Sequence, residues 1–339
     1  MIDRKDMSGA KGAGAPVWIL HDGKVGLRNQ AMGVAEAVGL PFEEKRLVIR
    51  YPWKLLPPAL NFCALHAPGP KGDLLQPPWP RLVIAAGGRG SAPMLAVRKA
   101  AGGRGLCVAV QVQNPHLPPG RFDLMVVPAH DRVAGDNVIV TQGAVHRVTR
   151  AVLDKAAVLW APRLAALPHP RIAVLIGGDN GHYRLDPSRM AEIAADLARL
   201  ARAGHGLMVT PSRRTGPENE AILRRHLEGL PAVVWDGSGE NPYFGYLGLA
   251  DHVVATADSI SMITEAGATG KPVHVVELPG AGPKFLRFHQ AIAQAGITRP
   301  FALTADDNLA QWEYPVADDT ARAGAKIREI METRGLWPG

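Results

Sequence analysis

The sequence predicts an α/β protein of two doubly wound, Rossmann-like parallel-sheet domains facing one another across a cleft. Three observations lead there. The chain has 339 residues, more than one average hydrophobic core serves. Short apolar runs alternate with helical patterns in two successive series, and strands alternating with helices imply parallel sheets. Glycine-rich loops follow several of the strands, where open parallel sheets bind ligands.

Residues 1–15, MIDRKDMSGAKGAGA, are polar and rich in Gly and Ala. They lack the apolar core of a signal peptide and read as a disordered leader. An N-terminal domain is expected over residues 16–165. Its first strand is Val17–Leu20, followed by the loop HDGKVGLRNQ and a helix over Gln30–Val38. A strand at Lys45–Ile49 precedes an irregular Pro-rich stretch. Strand Leu82–Ala86 enters GGRGSAP and a helix to about Ala101. Strands Leu106–Val112, Leu124–Val127 and Val138–Thr141 follow, then a long helix over Val148–Trp160.

LPHP at residues 167–170 reads as a linker. The C-terminal, nucleotide-binding domain is expected over residues 166–310. Strand Ile172–Ile176 enters GGDNGHYRLDPS. Helix Pro187–Ala203 has Asp186 as N-cap and Pro187 at its first position, and Gly204 stops it. Strand Gly206–Thr210 enters PSRRTGPE and helix Glu218–Leu227. Strand Ala232–Trp235, helix Tyr243–Leu249, strand His252–Ala255, helix Ser259–Thr269 and strand Val273–Val276 complete the series. A final helix, Asp319–Arg334, lies in a segment 311–339 expected to cross back to the N-terminal domain.

Composition narrows the function. Hydrophobic residues make up 47% and charged residues 20%, which is ordinary for a soluble globular protein. The net charge of +7 suits phosphate-bearing ligands or an anionic surface. The basic residues are scattered and aromatics are only 6%, so no base-stacking platform is visible and nucleic acid is not an expected partner. Cys63 and Cys107 have no CxxC spacing and read as reduced, half-buried thiols of a cytosolic protein. No apolar run approaches the roughly 20 residues that span a bilayer. The expected location is cytoplasmic, with peripheral contact to the inner membrane as an option.

The segment VVATADSISMITEAGATGKPVHVVE, residues 253–277, carries the sharpest signal. Ser259 and Ser261 stand where a helix begins after a strand. Its orphan N–H groups and partial positive charge favour phosphate. The carboxylate of Glu265, inside that helix, can accept hydrogen bonds from ribose hydroxyls. The plain alternative is a well-capped helix with a surface Glu. Asp258 would repel a diphosphate unless it is turned away or paired. In IGGDNGHYRLD, Gly177 and Gly178 allow close backbone approach, and Asp179, Asn180 and His182 add polar groups. This is no dinucleotide fingerprint, because the third glycine is missing. The alternative is a tight Asx-capped turn. In TPSRRTGPE, Ser212 follows a strand, and Arg213 or Arg214 offers a guanidinium for a diphosphate. A solvated arginine pair is the alternative.

In the first half, Gly23, Lys24 and Arg28 form an anion-friendly turn, and Gly87 and Gly88 repeat the strand–glycine–helix form. Asn114, in QNPH, follows another strand. Each of these can equally be a structural turn. The stretch Tyr51–Phe62, with Trp53, Leu55, Leu56, Leu60 and Phe62, reads either as an interfacial patch or as a lid packed on its own domain. No DxD pair or His/Cys cluster with ligand spacing appears, so no metal is expected.

ADSISMITEAGATGKPV resembles the donor-nucleotide region of GT-B glycosyltransferases such as the lipid-II-forming N-acetylglucosaminyltransferase. The resemblance implies diphosphate contacts at Ser259 and Ser261 and a ribose contact at Glu265. It also implies that Lys284, in PGAGPKFLRFHQ, approaches the donor sugar, with a plain surface loop as the alternative. The loop after the first strand would face the acceptor, with His21 or Asp22 as general base. Taken together, HDGKVGLRNQAMGVAEAVG, AAGGRGSAP, QVQNP, IGGDNGHYR, TPSRRTGPE and ADSISMITEAGATGKPV resemble, over nearly the full length, the mitochondrial-fission family named for elongated mitochondria in plants. That family looks like a GT-B variant.

The expected function is a metal-independent, nucleotide-sugar-dependent glycosyltransferase acting on an envelope or lipid-linked acceptor. The nucleotide-sugar is a substrate, and no separate cofactor is expected. Two alternatives stand beside it. One is an epimerase or hydrolase using Asp179, His182 and Glu265. The other is a non-enzymatic adaptor that keeps the fold.

Overall fold

The computed structural model describes residues 16–51, 53, 55 and 64–338. The leader, Cys63 and all of Tyr51–Phe62 except Tyr51, Trp53 and Leu55 lie outside the described residues, and with them the interfacial-patch expectation. The chain divides into two compact units, residues 1–147 with 318–339, and residues 148–317.

The first unit holds a parallel sheet of β1 (Val17–His21), β2 (Phe42–Arg46), β3 (Leu82–Ala86), β4 (Val108–Val112), β5 (Leu124–Pro128) and β6 (Val138–Thr141). The order is β2-β1-β3-β4-β5-β6, so chain direction across the sheet reverses between β1 and β3. β1, β3, β4 and β5 are buried at every position. Their unbroken apolar runs are what a parallel sheet covered on both faces requires. On one face Val17, Ile19, Ile84 and Val110 pack with Val34 and Val38 of α1 (Val25–Val38). Ile327 and Met331 of the C-terminal helix Asp319–Thr333 join the same cluster. On the other, Trp18, Leu20 and Met125 pack with Met94 and Val97 of α2 (Gly88–Ala100). Arg334, just past the C-terminal helix, pairs at 3.0 Å with the fully buried carboxylate of Asp123.

The second unit opens with α3 (Arg150–Trp160) and continues β7 (Arg171–Ile176), α4 (Pro187–Arg202), β8 (Gly206–Pro211), α5 (Pro217–Leu227) and β9 (Ala232–Val234). Then come α6 (Tyr243–Leu249), β10 (His252–Thr256), α7 (Ile260–Gly267), β11 (Val273–Val276), α8 (Pro283–Gln294) and β12 (Thr298–Pro300). The sheet is parallel, in the order β12-β11-β10-β7-β8-β9. Its direction reverses between β7 and β10, the classic site of a ligand crevice. Asp186 caps α4 by accepting from the Arg189 N–H at 2.8 Å, with Pro187 at the first helical position. Among the described residues no helix is long and apolar enough to cross a membrane.

Several sequence boundaries move. The first helix begins at Val25 instead of Gln30, so Arg28 sits in its first turn. Gly26 and the polar residues there hide its start. The second strand is Phe42–Arg46, not Lys45–Ile49. The units divide at 147/148 rather than 165/166. Leu153 on α3 belongs to the second core, and Gly245 and Gly248 of α6 lie close against Trp160 and Leu153 of α3. α8 and β12 are absent from the sequence reading. The Gly/Pro-rich run at 279–283 masks α8, and β12 is a three-residue edge strand ending in Pro300, the place in a sheet that tolerates proline.

Candidate functional site

At the switch point of the second unit, the loops after β7, β8 and β10 are tied together by one carboxylate. Asp258 has no side-chain exposure, and its Oδ2 pairs with Nη2 of Arg214 at 2.7 Å. The Gly178 N–H donates to Oδ2 at 3.1 Å, and the Thr256 hydroxyl donates to Oδ1 at 2.6 Å. The Gly177 N–H donates in turn to Thr256 Oγ1 at 2.8 Å. Asn180 Nδ2 donates to the Asp258 carbonyl at 3.0 Å. From the β8 loop, Ser212 and Thr215 hydroxyls donate to the Gly177 carbonyl at 2.9 and 2.5 Å. A Cβ on Gly177 would overlap the Asp258 carboxylate, and one on Gly178 would overlap the Arg214 carbonyl. The two glycines therefore permit loop-on-loop packing, and their N–H groups are used inside the unit.

Immediately beyond Asp258, α7 presents its N-terminus at the end of β10. Ser259 is the N-cap, its hydroxyl accepting from the Met262 N–H at 3.3 Å. The first helical hydrogen bond of α7 runs from the Ile263 N–H to the Ser259 carbonyl at 3.2 Å, so the helix start aims its first-turn N–H groups outward, as any helix N-terminus does. A cap hydroxyl, first-turn N–H groups and the dipole converge here. Glu265, 8% exposed, accepts from the Tyr243 hydroxyl at 2.6 Å. Burial, and then the nearby carboxylate, push the Tyr243 hydroxyl well above its usual range, so it remains a donor. Arg213 is exposed and makes no hydrogen bond or ion pair among the described residues. Its neighbour Arg214 is committed to Asp258 and to the Gly178 carbonyl. Asp179 is bound to the Leu185 N–H at 2.7 Å and to Arg184 at 3.2 Å. Lys284 lies in the first turn of α8, half-buried.

The corresponding edge of the first unit gathers the loops after β1, β3 and β4. His21 is buried. Its Nδ1 accepts from the Gly23 N–H at 3.1 Å, which leaves the proton of the neutral ring on Nε2, 3.4 Å from Glu44. Burial lowers the His21 pKa against the pull of Glu44, so the neutral ring is favoured. Arg28 holds Glu44 through two bonds of 2.5 and 2.7 Å and keeps that carboxyl below its ordinary value. Asp22 has 7% side-chain exposure and stands 3.7 Å from Lys24 and 3.6 Å from Arg89. Gly87 adopts a φ of 75° between β3 and α2, where a Cβ would also strike Leu27. Gly88 is the first residue of α2. Asn114 accepts from the His116 N–H at 2.8 Å, closing an Asx turn after β4. Among the described residues, no group of three or more His, Cys, Asp or Glu is gathered as a metal would need.

Residues 25–331 match the family model described as mitochondrial fission ELM1. The chain belongs to that family. A member from Arabidopsis thaliana, mitochondrial fission protein ELM1, is 32% identical over 250 residues, covering 67% of this chain. The chain spans only 58% of the length of that plant relative. An uncharacterized protein of Rickettsia prowazekii is 24% identical over 332 residues, covering 84% of this chain and 90% of its own. Among solved structures, a putative UDP-N-acetylglucosamine 2-epimerase from Listeria monocytogenes has a TM-score of 0.53 at 13% identity, covering 95% of this chain and 97% of that one. Os79 from O. sativa, in complex with U2F and trichothecene, has a TM-score of 0.51 at 12% identity, covering 93% and 91%. At these identities the likeness is one of fold, and the fold is GT-B-like, with two doubly wound parallel sheets.

For this ELM1-family chain, the structure brings Gly177, Gly178, Asn180, Ser212, Arg214, Thr256 and Asp258 into one hydrogen-bonded cluster. Ser259, Ser261 and Glu265 follow on α7. His21, Asp22, Gly23, Lys24, Arg28, Gly87, Gly88 and Asn114 all lie in the first unit. Sequence reasoning missed Tyr243 and Glu44. Nothing in their local sequence marks them, because each earns its contact through a partner on another element.

Proposed function

We propose that the chain is a nucleotide-sugar-dependent glycosyltransferase of GT-B type, acting on an envelope or lipid-linked acceptor without a metal. The observation that carries the reading is the start of α7 at the switch point of the second sheet. Ser259, Ser261 and the first-turn N–H groups bind the diphosphate, and the exposed Arg213 closes on it. Arg214 neutralises Asp258, so the carboxylate beside the helix start does not repel the ligand. Glu265, oriented by Tyr243, receives the ribose hydroxyls. The departing diphosphate gains charge as the glycosidic bond breaks, and these fixed donors stabilise it. Lys284 approaches the sugar. In the first unit, Asp22 serves as acceptor base in preference to His21, whose two ring nitrogens are both engaged.

The test is incubation with UDP-sugars, with and without lipid-linked and glycan acceptors, following UDP release. Acceptor-dependent release is expected, and Glu265→Ala should lower nucleotide affinity about tenfold, the scale of one lost charge-assisted hydrogen bond. Free sugar or an epimer formed without acceptor would replace transfer by hydrolysis or epimerisation. Absence of binding by any nucleotide would leave the adaptor reading.

A further inference from the structure

The second unit contains a cavity of about 290 Å³ between α8 and the ends of β11 and β12. Its walls are mainly apolar, from Val275, Leu278, Leu286 and Ala293, and Tyr183 and His289 also line it. None of the residues assigned above to the diphosphate, ribose or sugar lines it. Its size is close to the lower end of small-ligand pockets, about 300 Å³.

His289 supplies the specific chemistry. Its Nε2 lies 2.9 Å from the Ala257 carbonyl. A carbonyl only accepts, so Nε2 carries the proton and Nδ1 holds a lone pair. No hydrogen bond among the described residues reaches Nδ1. Burial lowers the ring's pKa, so this lone pair persists at neutral pH. Two charged residues line the same space, and both are exposed: Glu277 and Arg299, whose guanidinium stacks 4.5 Å over Trp312. They are opposite in sign, so the cavity has no formal charge to attract an ion.

Two further features mark this region as more than a packing gap. Ala281, a lining residue, has a φ of 109°. That conformation is costly for a residue with a Cβ, and such strain concentrates at functional loops. Leu286, on the exposed side of α8, leaves 59% of its surface in solvent while also lining the cavity.

We propose that this cavity is a binding site for a neutral ring-bearing alcohol or phenol, whose hydroxyl donates to Nδ1 of His289 and whose ring packs against Tyr183, Leu278 and Leu286. The site is separate from the nucleotide site and needs no nucleotide to form.

The experiment titrates the full chain with phenol, cyclohexanol and anisole by ligand-observed NMR and calorimetry. Phenol and cyclohexanol bind saturably. Anisole, which has no donor, binds about fivefold more weakly, the scale of one neutral hydrogen bond. His289→Leu brings phenol to the level of anisole. Ala293→Trp, on an exposed position of α8, blocks all three while leaving the melting temperature close to wild type. Equal affinity for phenol and anisole in the wild-type protein overturns the proposal, whether or not the His289 variant folds. Displacement of phenol by UDP-N-acetylglucosamine but not by UDP also overturns it, by making the cavity the sugar end of the nucleotide site.

Discussion

Asp258 accepts from the Gly178 N–H, the Thr256 hydroxyl and the Arg214 guanidinium. From sequence it is the one residue that contradicts an anion site, since a free carboxylate there would oppose a diphosphate. Its pairing could not be read locally, because Gly178 and Arg214 come from the loops after β7 and β8, distant from it in the chain. The serine cap of α7 was legible, because Ser259 and the apolar run after it lie within one turn. The glycine pair was legible as a tight turn, but its purpose was not. What Gly177 avoids is the Asp258 side chain, and only the fold brings the two together. Removing one partner of a buried pair is expensive, but Arg214 retains 38% side-chain exposure and can turn to water. The larger part of the cost comes from the stranded Gly178 N–H and Thr256 hydroxyl. Asp258→Ala is expected to lower unfolding free energy by about 3 kcal/mol in urea denaturation. A loss below about 1 kcal/mol would mean that the three loops hold together without it.

At the scale of elements, β10 and β11 carry a buried histidine pair that the proposed chemistry does not use. His252 Nδ1 and His274 Nε2 lie 3.4 Å apart, and Trp312 packs edge-on against His274 with centroids 4.9 Å apart. Burial dominates both shifts, lowering His252 and taking His274 down to about 3. The folded state therefore resists protons that the unfolded chain takes up near 6.5. Stability is retained above that value and is lost as pH falls from about 6.5 towards about 3. By pH 4.5 the loss from His274 should be roughly 3 kcal/mol. Melting curves from pH 7 to 4.5 should show a shallower decline for His274→Leu than for wild type, and parallel declines would refute the assignment. The same elements show the limits of local reading. The TGKPV turn before β11 is visible in sequence, but the work of Lys271 is not. Its ammonium donates to the Leu247 and Gly248 carbonyls at the end of α6, both at 2.9 Å, and burial lowers its pKa to about 8. α8 was invisible because Gly280, Gly282 and Pro283 dominate its approach.

At the scale of the molecule, both sheets were legible through their inner strands, such as β1, β3, β4, β7 and β10, which are mainly apolar runs buried at every position, whereas the edge strands β2 (FEEKR) and β12 (TRP) carry no such run. Sheet order was not, since adjacency depends on crossovers that a single sequence does not display. That order is what gives the site its meaning. Reversal between β7 and β10 sets the Gly177 loop, the Arg213–Arg214 loop and the start of α7 on one edge. The central claim is that this edge recognises the diphosphate of a nucleotide. Calorimetric titration of the full chain with UDP and GDP, each against its nucleoside, tests it most directly. The account predicts saturable binding of at least one diphosphate, at least about 100-fold tighter than its nucleoside, as expected for several charge-assisted hydrogen bonds. It also predicts loss of most of that margin in Arg213→Ala combined with Ser259→Ala. A nucleoside that binds as tightly as its diphosphate, or no binding of either pair, would contradict it.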